Sequence, residues 1–213
     1  DVTVWAAQRL LIADSKAGYS TWDGTIFVRQ GGVSPNFVIT NGGSGYTNPT
    51  AAITGGSGSG ATATVQFLAG VVTGITLTNP GFGYLAGDTL TVTISDATGI
   101  NATANGHVWP FLTPLPTTVA VAFGRVWLGA MRTLIVTGTG GTTWGSSFDD
   151  FRSSGASVTT VLTDTDLIHQ ITALRNIDNY LYIVGDNSVK SIGSISVVSS
   201  VTNFTITTLS SDQ

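Results

Sequence analysis

Two stretches decide the fold: Thr40-Asn41-Gly42-Gly43-Ser44-Gly45-Tyr46 and, about 38 residues later, Thr78-Asn79-Pro80-Gly81-Phe82-Gly83-Tyr84. Each is followed by an alternating β-type run and then an Ala-Thr-Ala triplet, Ala61-Thr62-Ala63 and Ala102-Thr103-Ala104. A repeat at this spacing marks a small structural unit built twice. Gly-Gly-Ser-Gly needs positive φ values, which glycine adopts at little cost. The tyrosine that follows is placed to cover the adjacent sheet face. Ala61 to Phe67 and Thr89 to Ile94 alternate with period two, the mark of half-buried strands. The run Val71-Val72-Thr73-Gly74-Ile75-Thr76-Leu77 links the copies. The expectation over residues 33–106 is a compact antiparallel unit, two pseudo-equivalent halves closing on one core. This is the chemistry of a spacer or surface domain, not of an active site.

Composition agrees. Of 213 residues, 42% are hydrophobic and only 9% charged, against roughly 25% charged in typical soluble domains. The polar surface must therefore be mostly Ser, Thr, Asn and Gly, which suits a protein packed in an assembly. There is no Glu, and Lys occurs only at positions 16 and 190. Glu and Lys favour helices, whereas Asp favours caps and turns. Their scarcity beside so much Thr, Val and Ile argues for an all-β chain. A mean hydropathy of +0.31 supplies ample material for a core and argues against disorder. The net charge of −4 argues against sequence-specific DNA binding. It is compatible with a conduit that DNA passes without sticking. With no Cys, disulfides and thiolate metal sites are excluded. No apolar run is long enough to be a membrane-spanning helix. The chain starts at Asp1, without an initiator Met or a signal peptide, which reads as a processed product or the ordered part of a longer chain.

The segments flanking the repeat share a different style. Residues 1–32 read as one or more hairpins, with Asp14 to Gly18 as a break and Trp22-Asp23-Gly24 as a tight turn before Ile26-Phe27-Val28. Residues 107–118 form a Pro-rich linker containing Trp109-Pro110, Pro114 and Pro116. Residues 119–213 read as a meander. Its strands are Val119 to Phe123, Arg125 to Leu128, Thr133 to Val136, Ile171 to Leu174, Tyr180 to Val184 and Ser188 to Ile192. Three segments are alike: Val4-Trp5 to Leu11-Ile12, Arg125-Val126-Trp127 to Val136, and Asn179-Tyr180-Leu181-Tyr182 to Val189. Each reads as a hairpin with an aromatic on its first strand. Recurring hairpins of this kind suggest propeller blades, here incomplete and interrupted by the duplicated domain. Asp164 to Asn176 is the one helical candidate, from the spacing of Leu167, Ile171 and Leu174.

No catalytic, cofactor-binding or metal-ligating residue is assigned. G-x-G-x-x-A occurs at Gly58 to Ala63 and at Gly81 to Ala86. The dinucleotide motif needs a strand-to-helix turn, and Gly58 to Ala63 runs into a strand, so a turn is the reading. There is no P-loop. His107 and His169 stand apart, too few for a usual zinc ligand set. Ser and Asp are plentiful, so a Ser-His-Asp triad stays open by composition, but there is no G-x-S-x-G elbow. Asp149-Asp150 is the pattern of a paired carboxylate or cation ligand. Neighbours on a strand point to opposite faces, so the reading is a turn anchored by Phe148 and Phe151. Asp164 and Asp166 read as helix caps. Trp5, Trp22, Trp109, Trp127 and Trp144 would serve a sugar-stacking surface if exposed, and a core if buried.

The segment Asn41-Gly42-Gly43-Ser44-Gly45-Tyr46-Thr47-Asn48-Pro49-Thr50, with Gly55 to Ala63, resembles glycine-rich β repeats of tailed-bacteriophage virion proteins. The ordered set Phe123-Gly124-Arg125-Val126-Trp127, Ile135-Val136-Thr137, Phe148-Asp149-Asp150-Phe151, Ile171-Thr172-Ala173-Leu174 and Leu181 to Val189 adds a second likeness. It resembles the β-propeller part of nozzle, or tail-hub, proteins of short-tailed phages. The resemblance covers roughly residues 119–193 and 37–106. It implies a sixfold ring at the end of the tail tube that continues the DNA channel and contacts an adaptor, fibres or spikes. About three hairpins are too few for a closed propeller.

The expectation is therefore a non-enzymatic virion protein, a self-assembling tail component in a hexameric ring, through which genomic DNA passes without specific binding. Trp127, Phe148, Phe151 and Tyr182 are assigned to packing. The alternatives are a virion surface module that binds a receptor or host glycan, and a capsid decoration protein.

Overall fold

The computed structural model describes residues 1–162 and 170–211. Strands take 56% and helix 3%, so the chain is all-β. It divides into two compact units. Unit 1 comprises Asp1–Thr21, Leu112–Gly140 and Ser147–Gln213, and unit 2 comprises Trp22–Phe111 and Gly141–Ser146.

The chain opens with β1 (Val2–Trp5), β2 (Arg9–Asp14) and β3 (Gly18–Trp22), paired in that order. Val2 faces Ile12 and Trp5 faces Arg9 in the antiparallel β1–β2 ladder. The Asp14 carboxylate accepts the Lys16 and Ala17 N–H groups, which forms the turn into Gly18. Asp23 repeats the device one turn later, accepting the Thr25 and Ile26 N–H groups. Asx turns of this kind replace backbone pairing where a strand reverses.

Unit 2 holds the short β4 (Phe27–Val28) and a six-stranded sheet. The sheet is built from β5 (Val38–Ser44), β6 (Thr50–Thr54), β7 (Ser59–Leu68), β8 (Val71–Phe82), β9 (Thr91–Ser95) and β10 (Ile100–Asn105). Their order across the sheet is β5-β10-β9-β6-β7-β8. The sequence repeat thus becomes a pseudo-twofold axis between β9 and β6, with the first strand of each copy lying on the other copy. Matching details fall at matching places. Both copies have a bulge, at Thr103/Ala104 and at Thr62/Ala63. Thr40 and Thr103 hydroxyls meet at 2.7 Å, as do Thr62 and Thr78. Asn41 and Asn79 each accept the N–H of the glycine two residues on, Gly43 and Gly81, at 2.9 Å. Those glycines have φ of 60° and 64°, and a side chain on either would strike the paired strand's backbone. Tyr46 and Tyr84 are buried, covering the sheet as their positions predict. The sheet curls until its two edges meet: Tyr46 N–H bonds Gly70 O at 3.0 Å, and Val71 closes on Gly42.

The module's incoming and outgoing chains run side by side. Ser34 N–H bonds His107 O, and Trp109 N–H bonds Gly32 O, both at 2.8 Å. Val33 pairs with Val108 between them, and Val33 and Trp109 are wholly buried. The Pro-rich stretch begins with these paired residues.

Back in unit 1, β11 (Thr118–Ala122), β12 (Arg125–Ala130), β13 (Thr133–Val136) and β14 (Val158–Val161) form one antiparallel meander. Next come β15 (Ile171–Ile177), β16 (Tyr180–Gly185) and β17 (Ser188–Ile192), then a separate hairpin of β18 (Ile195–Val198) and β19 (Val201–Phe204), then β20 (Thr207–Ser211). The second meander is ordered β15-β16-β17-β20. All six residues of β12 are buried, as in a strand covered on both faces. The core joins Trp127, Leu134 and Val136 of one meander to Leu174, Leu181, Ile183 and Ile192 of the other, with Phe204 of the β18–β19 hairpin against it.

One expectation is overturned. Ile171 to Asn176 is strand, not helix. A bulge between Ile171 and Ala173 shifts the register, so Ile171 and Leu174 are both buried despite their helical spacing. The remainder of that candidate, including Asp164, Asp166, Leu167 and His169, lies outside the described residues.

Candidate functional site

The first strands of the three unit 1 sheets, β1, β11 and β15, are neighbours. They line an open cavity of about 750 Å³, with Val4, Val121, Arg175 and Asn176 among its walls. Asp1 ties this wall together. Its carboxylate accepts the Thr118 hydroxyl at 2.6 Å, the Val119 N–H at 3.2 Å and Arg175 Nη1 at 3.0 Å. Thr118 in turn accepts the Leu174 N–H, and Asn176 donates to Val121 O. Val2 and Val4 remain 54% and 53% exposed, so the wall mixes apolar steps with one polar bridge. Nothing in the sequence signals this group, because its members lie up to 174 positions apart and meet only through strand packing.

A second polar centre is buried. Arg125 Nη1 donates to Thr137 O at 3.0 Å, Ala156 O at 2.9 Å and Thr202 Oγ1 at 2.8 Å. Burial pushes this guanidinium's pKa down from its ordinary value, with the Asp150 charge opposing. Asp149 and Asp150 occupy a short 3-10 turn and its exit, not a strand, and both are buried. Asp150 is committed to structure: it accepts Arg152 Nε at 2.8 Å and the Gly140 N–H at 3.0 Å. The turn reading stands, with Phe148 buried and Phe151 edge-on to Tyr19. Tyr19 donates to Phe148 O at 2.7 Å. Desolvation first, and the Asp149 charge second, raise the Tyr19 pKa well above its usual value.

The module's loops are held by two half-buried carboxylates. Asp96 accepts N–H groups from Thr47, Asn48, Thr98 and Gly99. These bonds, led by Thr98 and Asn48, hold its carboxyl far below the usual carboxylate range. Asp88 accepts the Leu85 and Ser57 N–H groups and is lowered for the same reason. Neither G-x-G-x-x-A stretch leads into a helix. His107 stacks on Trp144 at 3.8 Å. Trp109 and Trp127 are wholly buried, whereas Trp22 is 41% exposed. Among the described residues, no cluster of three His, Cys, Asp or Glu side chains is arranged to hold a metal ion. No helix among them is long and apolar enough to cross a membrane.

Comparison with known proteins gave no match to a family model, a curated protein or a solved structure.

Proposed function

We propose that this chain is a structural component of a bacteriophage tail, of the nozzle or hub type. In this reading it assembles into a ring of six copies that extends the DNA-ejection channel and docks fibres or spikes. The observation that supports it is the arrangement of unit 1. Three antiparallel sheets set their first strands, β1, β11 and β15, side by side around one open cavity, as propeller blades do. Closure would come from further blades or neighbouring copies, and the duplicated module would be an inserted domain. The mechanism is geometric. Rigid blades shape a passage, and low charge leaves few ions to desolvate at subunit contacts. DNA passes a wall of few charges without specific contacts, and the chain's net charge of −4 disfavours sticking. Light-scattering mass with negative-stain imaging tests this: a ring of about six with a central hole supports it, and a monomer at all concentrations and on purified tails refutes it.

A receptor- or glycan-binding surface is the second reading. The half-exposed His107–Trp144 stack and exposed Trp22 favour it, since sugars stack on such rings. The full burial of Trp109 and Trp127 weighs toward structure. A glycan array with a Trp144→Ala control separates the two.

A further inference from the structure

Three of the five ladders in the six-stranded sheet of unit 2 join its two copies, and these three carry most of the paired residues. One copy is β5–β7 and the other β8–β10. In the order β5-β10-β9-β6-β7-β8, the pairs β5–β10, β9–β6 and β7–β8 each join one copy to the other. The edge closure by Tyr46 N–H and Gly70 O does the same. The only covalent link between the copies is the two-residue turn Ala69-Gly70, since Leu68 pairs with Val71. Both turn residues are left-handed, with φ of 51° and 78°. That is the demand of a type I′ turn, which Gly meets freely and Ala meets under strain.

We propose that two copies of this chain exchange module halves, with β5–β7 of one pairing with β8–β10 of the other. Every ladder of the closed module is reproduced in the exchanged pair. Within the module the turn opens, which releases Ala69 from its left-handed conformation, and residues 31–34 of each chain move with the exchanged half and re-form their bonds to Pro80, Tyr84, His107 and Trp109 of the other. A short strained hinge joining two mutually dependent halves is the usual route to such exchange. The partner is therefore a second copy of this chain, and the exchange stands whether or not the tail reading holds.

The chain has no cysteine, so one engineered pair reports the pairing. Ala51 faces Ile94 across β6–β9. The full chain carrying Ala51→Cys and Ile94→Cys, with Ala69 and Gly70 deleted, cannot reverse at the hinge. The expected result is a doubled mass by light scattering and a disulfide that links two chains on a non-reducing gel. A monomer with the disulfide inside one chain overturns the proposal. Should the deletion prevent folding, the same cysteine pair with the turn intact is refolded at rising protein concentration and then oxidised. The expected covalent dimer fraction rises with concentration, falls several-fold with Ala69→Asn, which suits the turn, and is absent from single-cysteine controls. A dimer fraction that stays at zero overturns it.

Discussion

Replacing Arg125 by Met removes the buried guanidinium that holds Thr137 O, Ala156 O and Thr202 Oγ1. Nη1 has two hydrogens for these three acceptors, so two charge-assisted bonds at about 1.5–3 kcal/mol each give about 3–6 kcal/mol gross. Much of this is offset, because a buried ion carries a desolvation cost of several kcal/mol. Met also refills the volume of the arginine stem. Ala156 O keeps a partner, since the Thr202 hydroxyl donates to it at 2.6 Å. Thr137 O loses the bond from Arg125. The net expectation is a loss of about 2 kcal/mol, or roughly 4–8 °C in the melting of unit 1. Thr202→Val removes one acceptor of Arg125 and the hydroxyl's own bond to Ala156 O but leaves Arg125 on both carbonyls, so its cost is smaller, about 1–2 kcal/mol. In the double variant two couplings oppose: the Arg125–Thr202 bond is lost only once, which lowers the cost below the sum, and Ala156 O loses both its partners, which raises it. Thermal and urea unfolding of the four proteins measures the cycle. An Arg125→Met variant as stable as the parent, or a Thr202→Val variant that costs more than Arg125→Met, refutes the reasoning.

Three other outcomes follow from the same geometry. Gly58→Ala and Gly99→Ala each drive a methyl into a tyrosine ring, Tyr84 and Tyr46 respectively. Each should cost about 1–3 kcal/mol, by similar amounts, in urea unfolding of unit 2. The Asp88 and Asp96 carboxyls titrate below the ordinary value of 3.8 in the folded state. Their stabilisation is therefore complete above roughly pH 4 and fades as pH falls toward the folded values. Acid titration of tyrosine near-UV dichroism should show unit 2 loosening only below that point, with a shallower acid limb in Asp96→Asn. Trp127→Phe gives up the indole N–H bond to Ala122 O and part of the contact with Phe204. It should lower unit 1 stability by about 1–3 kcal/mol, measured as a shift in denaturant midpoint.

The sequence carried the local rules well. Repeated glycines located the left-handed positions, the following tyrosines located buried rings, and period-two runs located β7 and β9. The hairpins led by Trp5, Trp127 and Tyr182 were legible because turn residues and alternation are short-range signals. What needed the structure is long-range. Nothing local says that β5 pairs with β10, some 60 residues away, instead of with its own copy. Ile171 and Leu174 imitate a helix because a bulge restores to one face what alternation would separate. Arg125 reads as the polar start of a strand, and its burial depends on carbonyls brought from Thr137 and Ala156. The Asp1–Thr118–Arg175 bridge is invisible for the same reason. Asp149 and Asp150 look like paired chemistry in sequence, yet Asp150 spends its acceptors on Arg152 and Gly140.

The side-by-side strands at Gly32–Ser34 and His107–Trp109 make the module a cartridge. Its two chain ends leave about one strand spacing apart, roughly 5 Å, with their own backbone bonds already made. Any β-hairpin offers a socket of that width, so a graft between two such strands should keep the module's fold, provided the Gly141–Ser146 segment that bonds Asn36 travels with it.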